Sequence, residues 1–249
     1  MSGDLSTMAS SMPSGLYFSP SDDMSNEIIE FEDLGVMPYR QTWDLQKSLF
    51  TSLIEDKKAQ KTTASEKVFF VEHPHVYTLG LHGKVNNMLL NPTDLERRGI
   101  EFVQIERGGD ITYHGPGQLV VYPILDMQKY SLGVKSYIDL LEETVIRVIA
   151  KYGIKGERVE GATGVWIDVG TPRERKICAI GVKCSRFVTM HGLALNVNTD
   201  LSYFSAINPC GFIDKGVTSI SRELGHDIDM IDVKDLFKSI FINLLSDRV

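Results

Sequence analysis

At 249 residues the chain is long enough for one large domain or two small ones. Its 43% hydrophobic and 24% charged residues are ordinary for a globular protein with a sizeable core, and a net charge of −7 argues against a general nucleic-acid binder. No run approaches the roughly 18 apolar residues that span a bilayer, so no membrane partner is expected.

Residues 1–26 are rich in Ser and Met and contain no Lys or Arg. A signal peptide or a mitochondrial transit peptide would need basic residues there. The segment reads as a disordered tail preceding one domain at 27–249. The cysteines Cys178, Cys184 and Cys210 are too few, and odd in number, for a disulfide framework. They fit a reducing, cytoplasmic setting.

In chain order, residues 28–34 predict a short strand. Pro38 opens a helix carrying Tyr39, Trp43, Leu49, Phe50, Leu53 and Ile54 near a 3.6-residue period. Val68 to Glu72 and Val76 to Gly80 predict strands separated by His73-Pro74-His75. Lys84 to Gly99 is loop-rich, with a short helix at Asp94 to Arg98. Strands follow at Ile100 to Glu106, at Ile111 to Tyr113 and over the apolar run QLVVYPIL after Gly115-Pro116-Gly117. Ser136 to Tyr152 predicts an amphipathic helix. Thr163 to Val169, Lys176 to Ser185 and Leu193 to Val197 predict strands, and Asp232 to Leu245 a last helix. Runs of strands with helices segregated between them define an α+β class, with a mixed or antiparallel sheet flanked by helices.

The chemistry concentrates in RGGDITYHGPGQLVVYP, Arg107 to Pro123. Gly108-Gly109 does not match G-x-G-x-x-G and no helix follows, so a dinucleotide fingerprint is excluded; P-loop and G-x-S-x-G motifs are absent. The glycines read either as turns of a meander or as places where backbone approaches a ligand. Arg107 and His114, at the two ends of a short strand, would then face one cavity. The His73-x-His75 pair has metal-ligand spacing but no third ligand nearby, so no metal is expected. Pro209-Cys210 lacks the second cysteine of a zinc deaminase. Cys210, between Pro and Gly, suits an exposed turn; Cys178 and Cys184 lie in a strand-like run and read as small buried hydrophobes. A cation would make Cys210 a nucleophile. Lys176, at the start of an apolar strand, is the candidate.

These residues carry a resemblance. Arg107 to Gln118 matches the signature R-G-G-x-x-T-[FY]-H-x-P-G-Q of the lipoyl(octanoyl) transferases, the octanoyl-[acyl-carrier-protein]–protein octanoyltransferases. EHPHVYTLG, KICAIGVK, HGLALNV and INPCG resemble further segments of that family, and the Lys-to-Cys separation of 34 residues (210 − 176) also matches. The resemblance runs from about Phe31 to the C-terminus. It implies an α+β domain like that of biotin and lipoate protein ligases. It implies transfer of an octanoyl group from octanoyl-acyl carrier protein to a lysine of lipoyl domains, those of 2-oxo-acid dehydrogenase complexes and the glycine cleavage H protein. Cys210 would carry the acyl group as a thioester and Lys176 would lower the pKa of its thiol. Substrate would be bound by Arg107, Gly108, Gly109, Asp110, Ile111, Thr112, Tyr113 and His114, by Ala179, Ile180 and Gly181, and by Gly192, Leu193 and Ala194.

Exchange between thioesters is close to isoenergetic and amide formation from a thioester is downhill, so no ATP, metal or other cofactor is expected. The competing readings are an ATP-dependent lipoate or biotin protein ligase on the same fold, and a non-catalytic module that binds lipoyl domains or acyl carriers. Ile180 and Leu193 are candidate walls for the acyl chain. Because the chain is acidic, docking of an acidic carrier requires a local basic patch, for which Arg173, Arg175, Lys183 and Arg186 are the candidates.

Overall fold

The seven residues Gln118–Ile124 are all buried, as expected of a strand covered on both faces rather than an alternating half-exposed one. This strand, β6, lies inside the larger of two sheets. The computed structural model describes residues 29–61, 65–208 and 216–248; the tail and Cys210 lie outside them. The elements are β1 (Glu30–Val36), α1 (Tyr39–Lys58), β2 (Lys67–Glu72), β3 (Val76–Leu79), α2 (Pro92–Arg97), β4 (Glu101–Gln104), β5 (Ile111–His114), β6 (Gln118–Ile124) and α3 (Val134–Ala150). There follow β7 (Glu157–Val159), β8 (Ala162–Ile167), β9 (Arg175–Ser185), β10 (Val188–Asn196), β11 (Gly216–Val217), α4 (Ile220–Leu224) and α5 (Met230–Ser246).

The large sheet runs β1-β2-β6-β10-β9-β8-β7, with β11 added along β9. From β2 to β7 the neighbours are antiparallel; β1 and β11 pair parallel with β2 and β9. The mixed sheet and α+β class expected from sequence are present. The strands β4-β3-β5, however, form a second, three-stranded sheet.

Alternation in β2 explains the layers. Val68 and Phe70 pack with Leu119, Val121, Leu193 and the α3 and α5 residues Leu140, Phe237 and Phe241. Phe69 and Val71 pack on the opposite side with Val120, Tyr122 and the α1 residues Phe50 and Leu53. The small sheet has its own core of Tyr77, Leu79, Ile111 and Tyr113. Its anchor is Asp110, whose carboxylate accepts Asn87 Nδ2 and the Ile111 N–H.

Sequence places the start of β10 five residues too late. The β9–β10 hairpin turns on Arg186 and Phe187, with φ of 51° and 66°. Two-residue hairpin turns usually announce themselves with Asn or Gly at such positions, and neither is present. The short α4 carries end signals that the periodicity reading passes over, Ser219 capping its start and Gly225 its end at φ 79°.

Candidate active site

A cavity of about 820 Å³ opens where the 107–114 segment crosses the large sheet. Its walls include Arg107 to Thr112 and His114, Ala179 to Gly181, Gly192 to Ala194, and Lys176. Four separate stretches singled out in the sequence therefore meet. Arg107 and His114 face one cavity as expected, and Ile180 and Leu193 contribute to its wall. Tyr113 is the exception. Residues two apart share a face of a strand, so Tyr113 points away from His114 into the small-sheet core, stacked on Tyr203 at 4.9 Å.

Hydrogen bonds on both sides hold the Arg107 loop. The N–H groups of Leu81 and His82 donate to the carbonyls of Arg107 and Gly109, and the Gly108 N–H donates to Val182 O on β9 at 3.0 Å. The buried Arg107 guanidinium donates to Thr78 O and Oγ1, each at 3.0 Å. From Thr78 a chain of side chains crosses to the large sheet. Thr78 Oγ1 meets His114 Nε2, and His114 Nδ1 lies 2.8 Å from Gln118 Oε1. Gln118 Nε2 donates to Tyr113 O and Asn196 Oδ1, and Asn196 Nδ2 donates to Thr218 O. Because Gln118 Oε1 accepts, Nδ1 carries the His114 proton and Nε2 accepts from Thr78. Burial first, then nearby His73 and Arg107, hold His114 well below its ordinary pKa, so the imidazole is neutral.

Lys176 is presented by an irregularity between β8 and β9. Val165 pairs with Cys178 but Trp166 pairs with Lys176, leaving Ile177 as an extra residue on β9. A bulge of this kind re-aims the flanking side chains. Lys176 Nζ donates to Thr163 O at 3.0 Å and lies 4.4 Å from the centre of the Trp166 ring. A Cβ on Gly164 would collide with Cys178 O, so glycine is needed for this close approach. The buried Glu142 of α3 accepts the Gly164 N–H at 2.9 Å and Arg158 Nε at 3.1 Å, tying the hairpin to the helix. Both flanks of the 209–215 segment border the cavity. Asn208 borders the cavity, and Val217 pairs with Lys176 itself.

Burial pushes the thiol pKa of Cys178 up, and that of Cys184 as well. Neither is suited to exist as thiolate at neutral pH. Cys178 is fully buried, as expected, but Cys184 is only partly so.

Glycines 181 and 192 serve the protein's own packing. A Cβ on Gly181 would stand 2.9 Å from Gly108 O and 3.0 Å from Arg107 Cδ, so its absence lets the Arg107 loop lie on β9. A Cβ on Gly192 would run into Val121 O and stand 2.9 Å from Pro123 Cδ. Gly192→Ala should therefore destabilise the protein by more than about 2 kcal/mol, as overpacking against backbone does. Gly133→Ala, where a Cβ meets nothing within 4 Å, should cost under about 1 kcal/mol. Urea-unfolding midpoints of the two variants check this; equal midpoints would contradict it.

His73 and His75 diverge. His73 bonds Met37 O and Tyr122 OH, whereas His75 bonds Tyr113 OH and stacks on Tyr203. The expected basic patch is partly neutralised: Arg175 pairs with Asp168 and Glu223, and Lys183 with Glu106. Residues that sequence reasoning left without roles are Thr78, Gln118, Asn196 and His191. Gln118 and Asn196 are polar ends of the apolar runs LVVYPI and LAL, a pattern that marks a buried polar contact.

Residues 38–242 match the family described as the lipoyl protein ligase A/B catalytic domain, and the chain belongs to that family. An octanoyltransferase of Bacteroides fragilis is 56% identical over 215 residues, covering 86% of this chain and 97% of its own. One of Parabacteroides distasonis is 52% identical over 221 residues, covering 88% and 100%. The chain is an acyltransferase that moves an octanoyl group in protein lipoylation. Its fold is shared with a lipoate-protein ligase A solved with ATP (TM-score 0.63, 17% identity, 88% of this chain and 86% of that one). A bi-partite lipoate protein ligase from Thermoplasma acidophilum is similar at TM-score 0.65 and 18% identity, covering 88% and 84%. None of the described helices is long and apolar enough to cross a membrane.

Proposed function

We propose that the octanoyl group arrives on acyl carrier protein, is held as a thioester on Cys210, and passes to a lysine of a lipoyl domain. The observation that carries this reading is the placing of Lys176: its ammonium lies on the cavity wall, and its backbone pairs with Val217, just beyond the segment that contains Cys210. The resemblance of KICAIGVK and INPCG to the family's segments supports the pairing of roles.

In the first step the Cys210 thiolate attacks the donor carbonyl. The bond from carbonyl carbon to carrier sulfur breaks, and the carrier leaves as a thiol after taking a proton. In the second step the ε-amine of the acceptor attacks the Cys210 thioester. The amide forms, the amine loses a proton and Cys210 leaves as thiolate. Lys176 stabilises the thiolate as an ammonium, and as an amine accepts the proton of the incoming lysine. Substrate backbone faces the Arg107–His114 wall, and residues 179–181 and 192–194 flank the acyl chain. Acceptors are lipoyl domains, such as those of 2-oxo-acid dehydrogenase complexes and the glycine cleavage H protein; the Thermoplasma ligase is described together with its E2 lipoyl domain. The reaction uses no ATP, metal or other cofactor and takes place in a reducing cytoplasm.

Mixing the protein with octanoyl-acyl carrier protein alone should add about 126 Da to the intact mass, mapping to Cys210. Adding a lipoyl domain should discharge it without ATP. An adduct on Cys178 or Cys184, or discharge only with ATP, would refute the scheme.

A further inference from the structure

His191 is the most unusual residue of the cavity wall. It is 1% exposed, and neither ring nitrogen has a hydrogen-bond partner among the described residues. Its φ is 63°, a left-handed conformation rare outside glycine. The cause lies across the sheet. Continuing the register Leu193↔Val121 brings Pro123 opposite His191. Pro123 has no N–H to offer a ladder. The ladder opens there, and the His191 N–H turns instead to Gln46 Oε1 of α1 at 3.0 Å. Strain of this kind persists where the surroundings impose it, often at ligand sites.

The position of His191 relative to Lys176 is set by register. Lys176 Nζ reaches back to Thr163 O, and continuing Val165↔Cys178 places Thr163 opposite Ile180. His191 pairs with Val182. The two points are thus two strands apart and two residues along. With strands about 4.8 Å apart and about 3.3 Å per residue, the separation is about 12 Å. An extended octanoyl chain, with seven carbon–carbon bonds of about 1.5 Å each advancing about 1.3 Å in the zigzag, spans about 9 Å, and its thioester sulfur fills the rest. Between the two points run Ile180, Gly181, Gly192 and Leu193, with Ala179 and Ala194 one pair beyond the lysine end. The far end is polar: besides His191 it holds the Arg107 guanidinium, whose charge bears on the ring.

We infer that His191 closes the far end of the acyl slot and sets its limit at about eight carbons, a specificity-determining role. This rests on the reading that the acyl group is attached beside Lys176. A chain of eight carbons ends at the imidazole. A longer chain must press methylenes against the imidazole, whose unpartnered nitrogens it would shut off from any polar group, beside a guanidinium already committed to Thr78, and that cost outweighs the gain in apolar contact. His191 is neutral, because burial and then Arg107 hold its pKa down to about 3.

The test measures kcat/KM for hexanoyl, octanoyl, decanoyl and dodecanoyl thioesters of acyl carrier protein. The wild-type protein should fall about tenfold or more from octanoyl to decanoyl and further to dodecanoyl. His191→Gly, which relieves the strained φ and removes the ring, should raise the decanoyl-to-octanoyl ratio at least about tenfold. A ratio within twofold of wild type in the variant overturns the inference. If the variant does not fold, the wild-type series decides alone: equal adduct-formation rates from octanoyl to dodecanoyl overturn it. Failure of the wild type to accept octanoyl at all is a different result, which removes the acyl-enzyme reading instead.

Discussion

Replacing Lys176 by alanine should lower octanoyl transfer by roughly 10²–10⁴-fold, the range for loss of a positioned acid–base group. Cys210→Ser should leave no measurable transfer, because a hydroxyl is much harder to ionise than a thiol. The geometry sharpens the expectation for Lys176→Arg. The lysine ammonium is held by Thr163 O at 3.0 Å and the face of Trp166 at 4.4 Å, within a pocket shaped by the close passage of Gly164 over Cys178. A guanidinium is broader, and it cannot release a proton at working pH. Lys176→Arg should therefore fail nearly as badly as Lys176→Ala, although the charge is kept. Iodoacetamide alkylation at pH 7 supplies an independent readout. Cys178 and Cys184 are held as thiols by burial, so the fast-reacting thiol should be Cys210, and its rate should drop in Lys176→Ala. An unchanged rate together with unchanged activity would rule Lys176 out.

Lowering the pH from 7.5 to 5.5 should cost the fold about 3 kcal/mol or more. His73, His114 and His191 are buried, and burial depresses each pKa: to about 4 for His73, to about 3 for His191, and well below the ordinary value for His114. The unfolded chain takes up protons near pH 6.5 that the folded chain refuses. Stability is therefore complete above pH 6.5 and declines as pH falls toward 4. At pH 5.5 His73 and His191 each contribute a loss of about 1.4 kcal/mol, hence about 3 kcal/mol for the two, and His114 acts in the same direction. Glu143 and Glu223, held low by hydrogen bonds from Arg147 and Arg175, keep their contribution until pH falls below about 4.5, outside this window. Against a total of 5–15 kcal/mol the loss is large. Urea midpoints at the two pH values measure it, and equal midpoints would show that these rings protonate without unfolding.

The α+β class was legible because long apolar runs such as Gln118–Ile124 and the amphipathic α3 and α5 follow their periods closely. The four stretches of the site were legible as motifs, and the cavity brings their described residues together. Tyr113 faces the small-sheet core rather than the cavity, as period two predicts, because a contiguous motif on a strand is not a contiguous surface. The relay from Thr78 through His114 and Gln118 to Asn196 and Thr218 was not legible, because it depends on the register between strands far apart in sequence. The same holds for the aim of Lys176, set by one extra residue, and for His191, whose strain originates in a proline 68 positions earlier (191 − 123). Sequence names chemical groups; pairing decides what they face.

The order β2-β6-β10 also bears on how the chain is made. β6 is complete at residue 124, but β10, which covers one of its edges, is complete only at residue 196. At about 5–20 residues per second the intervening 72 residues (196 − 124) take roughly 4–14 s to synthesise. Throughout that interval the nascent chain carries the apolar run Leu119–Ile124 with an unpaired edge, the kind of segment that recruits other chains into β-aggregates. Pro123 interrupts it on the side that later receives β10, since a Cβ on Gly192 of that strand would stand only 2.9 Å from the proline Cδ. The residue that distorts His191 in the finished protein thus also acts as a gatekeeper during its synthesis.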